Sequence, residues 1–215
     1  MAHPSDKRSS FADADYLRSS KSHSAILKGS RSFNALFVQL SIDPDVSSIK
    51  FIDTLPALGR RVKVGMLTAQ HDDGRFAYEL VDEAPIRDLD NEGLLQIALD
   101  ENNIRLVEVD RAHLDEEPRS SNCFRIWRHR NQKVDASTRA EIDRALKDGP
   151  LTIRQLGTIT RASSPLMTVC ALVWSGTLVL DLSRPLDAEA VVARRADRQA
   201  LPVTSEPPLS NRGPR

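Results

Sequence analysis

Ser163-Ser164-Pro165-Leu166-Met167-Thr168-Val169-Cys170-Ala171-Leu172-Val173-Trp174-Ser175-Gly176-Thr177-Leu178-Val179-Leu180-Asp181-Leu182 is the stretch on which the fold turns. Ser163-Ser164 offers a helix cap, and Pro165 takes the first helical position, where its missing N–H has no partner to lose. A helix is therefore expected over Leu166 to Trp174. Ser175-Gly176 closes it. The β-rich run Thr177 to Leu182 then turns at Ser183-Arg184-Pro185 into a second extended piece around Ala190 to Ala193. Upstream, Ala140, Ile142, Ala145 and Leu146 recur at helical spacing and stop at Asp148-Gly149-Pro150. Thr152 caps a further helix over Ile153 to Ile159. Helix, helix, helix, ribbon across Thr138 to Val192 is the layout of a winged helix-turn-helix.

Units of that layout meet duplex DNA through the third helix and the ribbon. Here the third helix offers few polar side chains to base edges, namely Ser163, Ser164 and Thr168. Arg161 just ahead of it and Arg184 at the ribbon tip are placed to neutralise phosphates rather than to read sequence. Arg125, Arg128, Arg130, Lys133 and Arg154 complete the candidate DNA contacts. The competing role for so apolar a helix is packing against another part of the chain or a partner protein.

Formal charge balances, with 30 Lys and Arg against 30 Asp and Glu, which argues against a uniformly basic nucleic-acid coat. The balance conceals segregation: Asp72 to Glu117 holds 15 acids and 4 bases, Arg119 to Arg161 holds 10 bases and 4 acids. The basic segment predicts a phosphate-attracting patch, and the acidic one either faces a basic partner or is solvated surface. Cys123 and Cys170 sit in apolar patterns without Cys-x-x-Cys spacing, which predicts buried free thiols. No apolar run resembles a secretion signal or approaches the roughly 20 residues of a membrane span, so a cytoplasmic protein is expected.

Residues 1–29 are polar, with Lys7, Arg8, Arg18, Lys21 and Lys28 among them, and are expected to form a flexible arm. Ser30 to Leu40 reads as a helix with Leu36, Phe37 and Leu40 on one side, ending before Ile42-Asp43-Pro44. Val46 to Phe51, Arg61 to Thr68 and Arg75 to Val81 read as a strand meander with turns at Leu58-Gly59 and His71-Asp72-Asp73-Gly74. Asp90 to Asn102 is amphipathic, and Ile104 to Val109 follows as a strand. A helix followed by such a strand predicts a crossover that brings the strand in parallel. Asn122 to Gln132 reads as a helix burying Phe124, Ile126 and Trp127, with its arginines either solvated or gripping nucleic acid by stacking and charge. Residues 199–215 are rich in Pro, Ser and Arg, and a disordered tail is expected there.

In this order of elements the chain resembles the TnsA-type transposon endonuclease subunits over about Ser30 to Arg195. The likeness rests on local phrases. Ser30 to Val46, with Asp43-Pro44-Asp45-Val46, looks like the family's opening helix and turn. Ile104 to Leu114 looks like its last core strand, Asn122 to Arg130 like its linker helix and Leu178 to Val192 like its wing. The resemblance implies an α/β domain with a mixed, restriction-endonuclease-like sheet followed by a winged helix-turn-helix domain. Its boundaries would be 30–118 for the nuclease-like domain, 119–136 for a basic linker helix and 137–198 for the winged-helix domain.

The family's chemistry needs a Glu on the first helix, an Asp on the second strand and a Lys two positions after an acid or Gln on the third. The carboxylates hold a divalent metal that activates water. Here the helix position falls on Phe33 or Asn34, the second-strand position near Gly65, and the third-strand triplet on Glu79-Leu80-Val81 or Val81-Asp82-Glu83. Glu79 alone matches a ligand, and no Lys follows it. The expectation is a pseudonuclease without catalytic residues, metal or cofactor, acting as an accessory or regulatory DNA-binding protein in a mobile-element or transcriptional setting. Duplex DNA is its expected partner, a transposase or transcription component a further one, and an oligomer is left open. Two other classes compete: an active endonuclease built from Asp72, Asp73, Glu79, Asp82 and Glu83, and a protein-interaction module. His71 beside Asp72 and Asp73 is better read as a turn than as a metal site, Ser163-Ser164 as a cap rather than a nucleophile pair, and no Gly-rich loop supports nucleotide hydrolysis.

Overall fold

The computed structural model describes residues 15–160 and 163–201. The meander begins with β3 (Ser48–Ala57), β4 (Arg60–His71) and β5 (Gly74–Leu80), antiparallel in succession. Leu58 and Gly59 both take positive φ at the first hairpin (49° and 72°), the conformation a tight two-residue turn requires. After β5 the chain crosses one face of the sheet as helix α2 (Leu89–Glu101) and returns as β6 (Ile104–Val109), parallel to β5. The order β3-β4-β5-β6 is a mixed sheet, and the parallel return matches the sequence expectation.

Period-two alternation splits the core between the two faces. Leu67, Ala69, Phe76, Tyr78, Val107 and Val109 face helix α1 (Arg31–Ile42), which carries Leu36, Phe37 and Leu40. Val64, Met66, Ala77 and Ile104 meet Leu95, Ala98 and Leu99 of α2 on the other face. Helix α1 starts where Ser30 Oγ accepts the Phe33 N–H at 3.0 Å, the capping bond that Ser supplies. It runs two residues further than the sequence suggested, because Ser41 closes on the Phe37 carbonyl and Ile42 is buried.

Residues 15–29, expected as part of a flexible arm, are instead folded, while residues 1–14 lie outside the described residues. Strands β1 (Tyr16–Leu17) and β2 (Ile26–Leu27) pair with each other, and Leu17 and Ile26 are buried against the sheet. Lys21, read as a possible phosphate contact, is buried and donates from Nζ to the Asp43 carbonyl. Two-residue strands carry no periodicity, so the hairpin left no pattern to read.

A short helix α3 (Arg111–Leu114) precedes α4 (Arg119–Arg128), which starts three residues earlier and ends four earlier than expected. Beyond it come α5 (Ala136–Ala145), β7 (Leu151–Thr152), α6 (Ile153–Thr160), α7 (Pro165–Trp174), β8 (Leu178–Leu180) and β9 (Val191–Arg194). The last three strands form a second sheet ordered β7-β9-β8, antiparallel throughout. Thr152 and Gln155 cap α6 reciprocally: Thr152 Oγ1 accepts the Gln155 N–H at 3.2 Å and Gln155 Oε1 accepts the Thr152 N–H at 2.8 Å. Gly157 lets the start of α7 come close, since a Cβ there would stand 2.5 Å from Pro165 Cγ.

Helix α7 packs on α4 and touches α1, and its residues from Val169 to Trp174 are buried. One apolar cluster therefore runs from Leu17 and Leu36 through Cys123 and Ile126 to Leu172 and Val192. Both cysteines are free and buried, as expected, and burial pushes each thiol up to about 11. A short 3₁₀ segment, Arg195–Ala200, follows β9, and residues 202–215 of the expected tail lie outside the described residues.

Candidate functional site

Phe33, Gly65 and Glu79, the three positions singled out on the first helix and the second and third strands, line one cleft of about 130 Å³. They come together because α1 lies over the strand pair β4–β5. Two of the three bring no oxygen ligand. Gly65 occupies a register slip in which Ile52 pairs with Met66 but Thr54 with Lys63, so β4 carries an extra residue. Its φ of +66° is left-handed, a conformation glycine adopts without strain and most side chains do not. Phe33 and Phe51 meet edge to face, with centroids 6.1 Å apart.

Glu79, buried on β5, already has a cation. Arg87, reaching back from the segment between β5 and α2, places Nη2 2.6 Å from Glu79 Oε1, an ion pair by distance rather than a well-aligned hydrogen bond. Its Nη1 stands 3.4 Å from Glu92 on α2. Burial works against the Arg87 charge, but Glu79 and then Glu92 outweigh it, and the guanidinium is held more firmly protonated than usual. A divalent cation needs several converging oxygens; this cleft offers the buried Glu79 carboxylate, paired with a guanidinium, and the exposed Glu83, bonded to the Ser30 hydroxyl. The residues present do not fit the metal that the resemblance implies.

The alternative carboxylate set does not converge either. Asp73 pairs with Arg105 at 2.9 Å, Asp82 accepts the Arg111 N–H at 2.9 Å, and Glu83 accepts the Ser30 hydroxyl at 2.5 Å. Among the described residues no three His, Cys, Asp or Glu side chains are grouped to hold a metal ion. His71 turns inward, its Nε2 2.8 Å from the Tyr78 hydroxyl, and burial lowers its pKa below the usual range.

The candidate DNA contacts scatter over several elements, and four of the nine that lie among the described residues, Arg125, Arg130, Arg154 and Arg184, also hold other groups of the chain. On α4, Asn122 donates to the carbonyls of Leu182 (2.8 Å) and Arg184 (2.7 Å) and accepts the Leu186 N–H (3.1 Å). Arg125 donates to the Leu186 carbonyl at 2.6 Å. These bonds fasten the β8–β9 loop to the helix. Arg130 lies 3.9 Å over the Trp127 ring and donates to the Trp127 carbonyl, and burial lowers its pKa. Trp127 meets Trp174 of α7 edge-on at 4.9 Å. Arg154 pairs with Glu189 at 2.6 Å and Arg184 with Asp181 at 3.4 Å.

Arg128 and Lys133 are exposed, and Arg128 lines a cleft of about 590 Å³ with Arg125, His129 and Phe124. Ser163 is exposed, while Ser164 and Thr168 are half-buried. Ser164 is the residue before α7, but its side chain makes no capping bond; Pro165 sets the helix start. Arg161 lies outside the described residues. Phe124, expected to be buried, is 67% exposed, because Cys123 and Ile126 take the inward positions of the turn.

Sequence reading missed Arg87. The signal was there: between residues 82 and 101 it is the single base among seven acids. Compared with known proteins, the chain matches no family model and no curated sequence. No single helix among the described residues is long and apolar enough to cross a membrane.

Proposed function

We propose that the chain is a non-catalytic DNA-binding accessory or regulatory protein, a cytoplasmic pseudonuclease joined to a winged helix. The observation that carries this reading is Glu79, the one matching carboxylate, paired with Arg87 in a cleft whose other key positions are Phe33 and Gly65. An alternating meander with a parallel fourth strand and helices on both faces supports a restriction-endonuclease-like origin for the first sheet. The winged-helix reading is supported by the order α5, β7, α6, α7, β8, β9, with the strand before α6 pairing with the last strand. In this reading burial of α7 against α4 weakens base readout, and phosphate contact through Arg128, Lys133 and Arg161 carries the affinity. A transposase or a transcription component is the proposed protein partner.

The test is fluorescence anisotropy with unrelated duplexes across a salt series. Affinity should fall steeply with salt, and the double variant Arg128→Ala, Lys133→Ala should weaken all duplexes alike, reducing the salt slope by about 1 for each phosphate no longer neutralised. Absent or salt-insensitive binding ends the DNA reading. Incubation of supercoiled plasmid with magnesium or manganese should leave it intact; nicking that disappears in Glu79→Ala would replace the pseudonuclease with a nuclease.

A further inference from the structure

Helix α2 carries apolar residues on opposite faces, whereas a helix on a sheet needs only one. Leu95, Ala98 and Leu99 fill the core below it. Leu89 and Ile97 point the other way, 91% and 39% exposed, and Ile86 just upstream is fully exposed. Leu89, Gly93 and Ile97 are four residues apart and so form one stripe. Gly93 sits mid-helix, where glycine weakens a helix, and a Cβ built on it would meet nothing within 4 Å. Nothing in the described chain requires a glycine there.

The approach to this stripe is held firmly in place. Asp82 and Glu83 are bonded to the Arg111 N–H and the Ser30 hydroxyl, Arg87 is paired inward, and Asp88 caps α2 by accepting the Asn91 N–H at 2.8 Å. The exposed aliphatic side chains are thus presented on a fixed backbone. The charge of this segment is one-sided: between residues 82 and 101 seven acids face a single base, Arg87, which is committed to Glu79 and Glu92, and of those acids Asp90 and Asp100 lie exposed on α2 outside the bonds just described.

We infer that the outer face of α2, with Ile86 at its head, is a docking surface for a basic amphipathic helix of a partner protein. Leu89 and Ile97 supply apolar anchors, Gly93 the gap that lets a second helix come close, and the flanking carboxylates pair with the partner's Lys and Arg. This surface is separate from the DNA-contacting residues and stands whether or not the chain binds DNA.

The probe is a fluorescent helical peptide of about 18 residues, roughly five turns, with an apolar stripe flanked by Lys and Arg. A counterpart carries Glu in their place. The full chain should bind the first peptide and not the second. Leu89→Ser and Ile97→Ser should each weaken binding about tenfold, a typical anchor effect. Gly93→Ala should raise the melting temperature while weakening binding, a split that mere helix stabilisation would not give. Absence of binding, equal binding of the acidic peptide, or affinity unchanged in Leu89→Ser overturns the inference. A dimer in sedimentation that Leu89→Ser dissolves would also overturn it, making a second copy the occupant.

Discussion

Two cations sit beside the first sheet, Lys21 buried and Arg87 partly buried, and their surroundings treat them in opposite ways. Arg87 meets the carboxylates of Glu79 and Glu92 directly and is held more firmly protonated than usual. Lys21 meets a neutral partner, the Asp43 backbone carbonyl. Burial lowers its pKa to about 8; the Asp43 carboxylate opposes this and Arg195 adds to it. Desolvation opposes the charge on both, and whether the facing group is a carboxylate or a neutral carbonyl decides the outcome.

The sharpest way to break the comparison is to remove Arg87. Arg87→Leu leaves Glu79 charged and buried without a partner, and a loss of about 3–5 kcal/mol is expected in urea unfolding at neutral pH. Removing both charges, Arg87→Leu with Glu79→Gln, should restore a large part of it. A double variant as unstable as the single one would show that packing, not charge, holds the site.

Lys21 should show itself through pH. Its folded pKa lies below the unfolded value, so between about pH 8 and 10.5 the unfolded chain binds the additional proton. Stability therefore rises with pH across that window, by up to about 3 kcal/mol. Below pH 8 the cost of charging the buried amine is fully present. Lys21→Met should flatten that rise, measured by denaturant unfolding at successive pH values. An unchanged slope would assign the rise to other groups.

The smallest expected effect is at Glu92, which is 3.4 Å from Arg87 and half-exposed. Glu92→Gln should cost about 0.5 kcal/mol, within the range of surface ion pairs. A larger loss would mean that Arg87 depends on both carboxylates equally.

The sheet was legible because its signals are local. Leu58-Gly59 and Asp72-Asp73-Gly74 mark the turns, β-branched and aromatic residues fill the strands between, and an amphipathic helix ahead of Ile104 forecasts the parallel return. Phe33, Gly65 and Glu79, singled out from three separate elements, line one cleft. What the sequence concealed was which charges already have partners within the chain. Arg125, Arg154 and Arg184 are exposed but also hold a carbonyl or a carboxylate, and Arg130 lies half-buried over the Trp127 ring. Charge counting cannot tell a guanidinium that faces water from one that ties a loop down. The β1–β2 hairpin was lost for a related reason: it is held by Leu17, Ile26 and one buried amine, contacts set by tertiary packing rather than by any repeat.

Helix α1 has no basic residue in its last turn, but its C-terminal end is not left uncompensated. Lys21 reaches the Asp43 carbonyl from ahead of the helix, and Arg195, directly after β9, donates to the Pro44 carbonyl at 2.8 Å. Segments more than 150 positions apart in the chain are buckled to a single corner. Trimming either margin inward past these two side chains would loosen the opposite one as well, so shortened versions of the protein should retain Lys21 and Arg195 together.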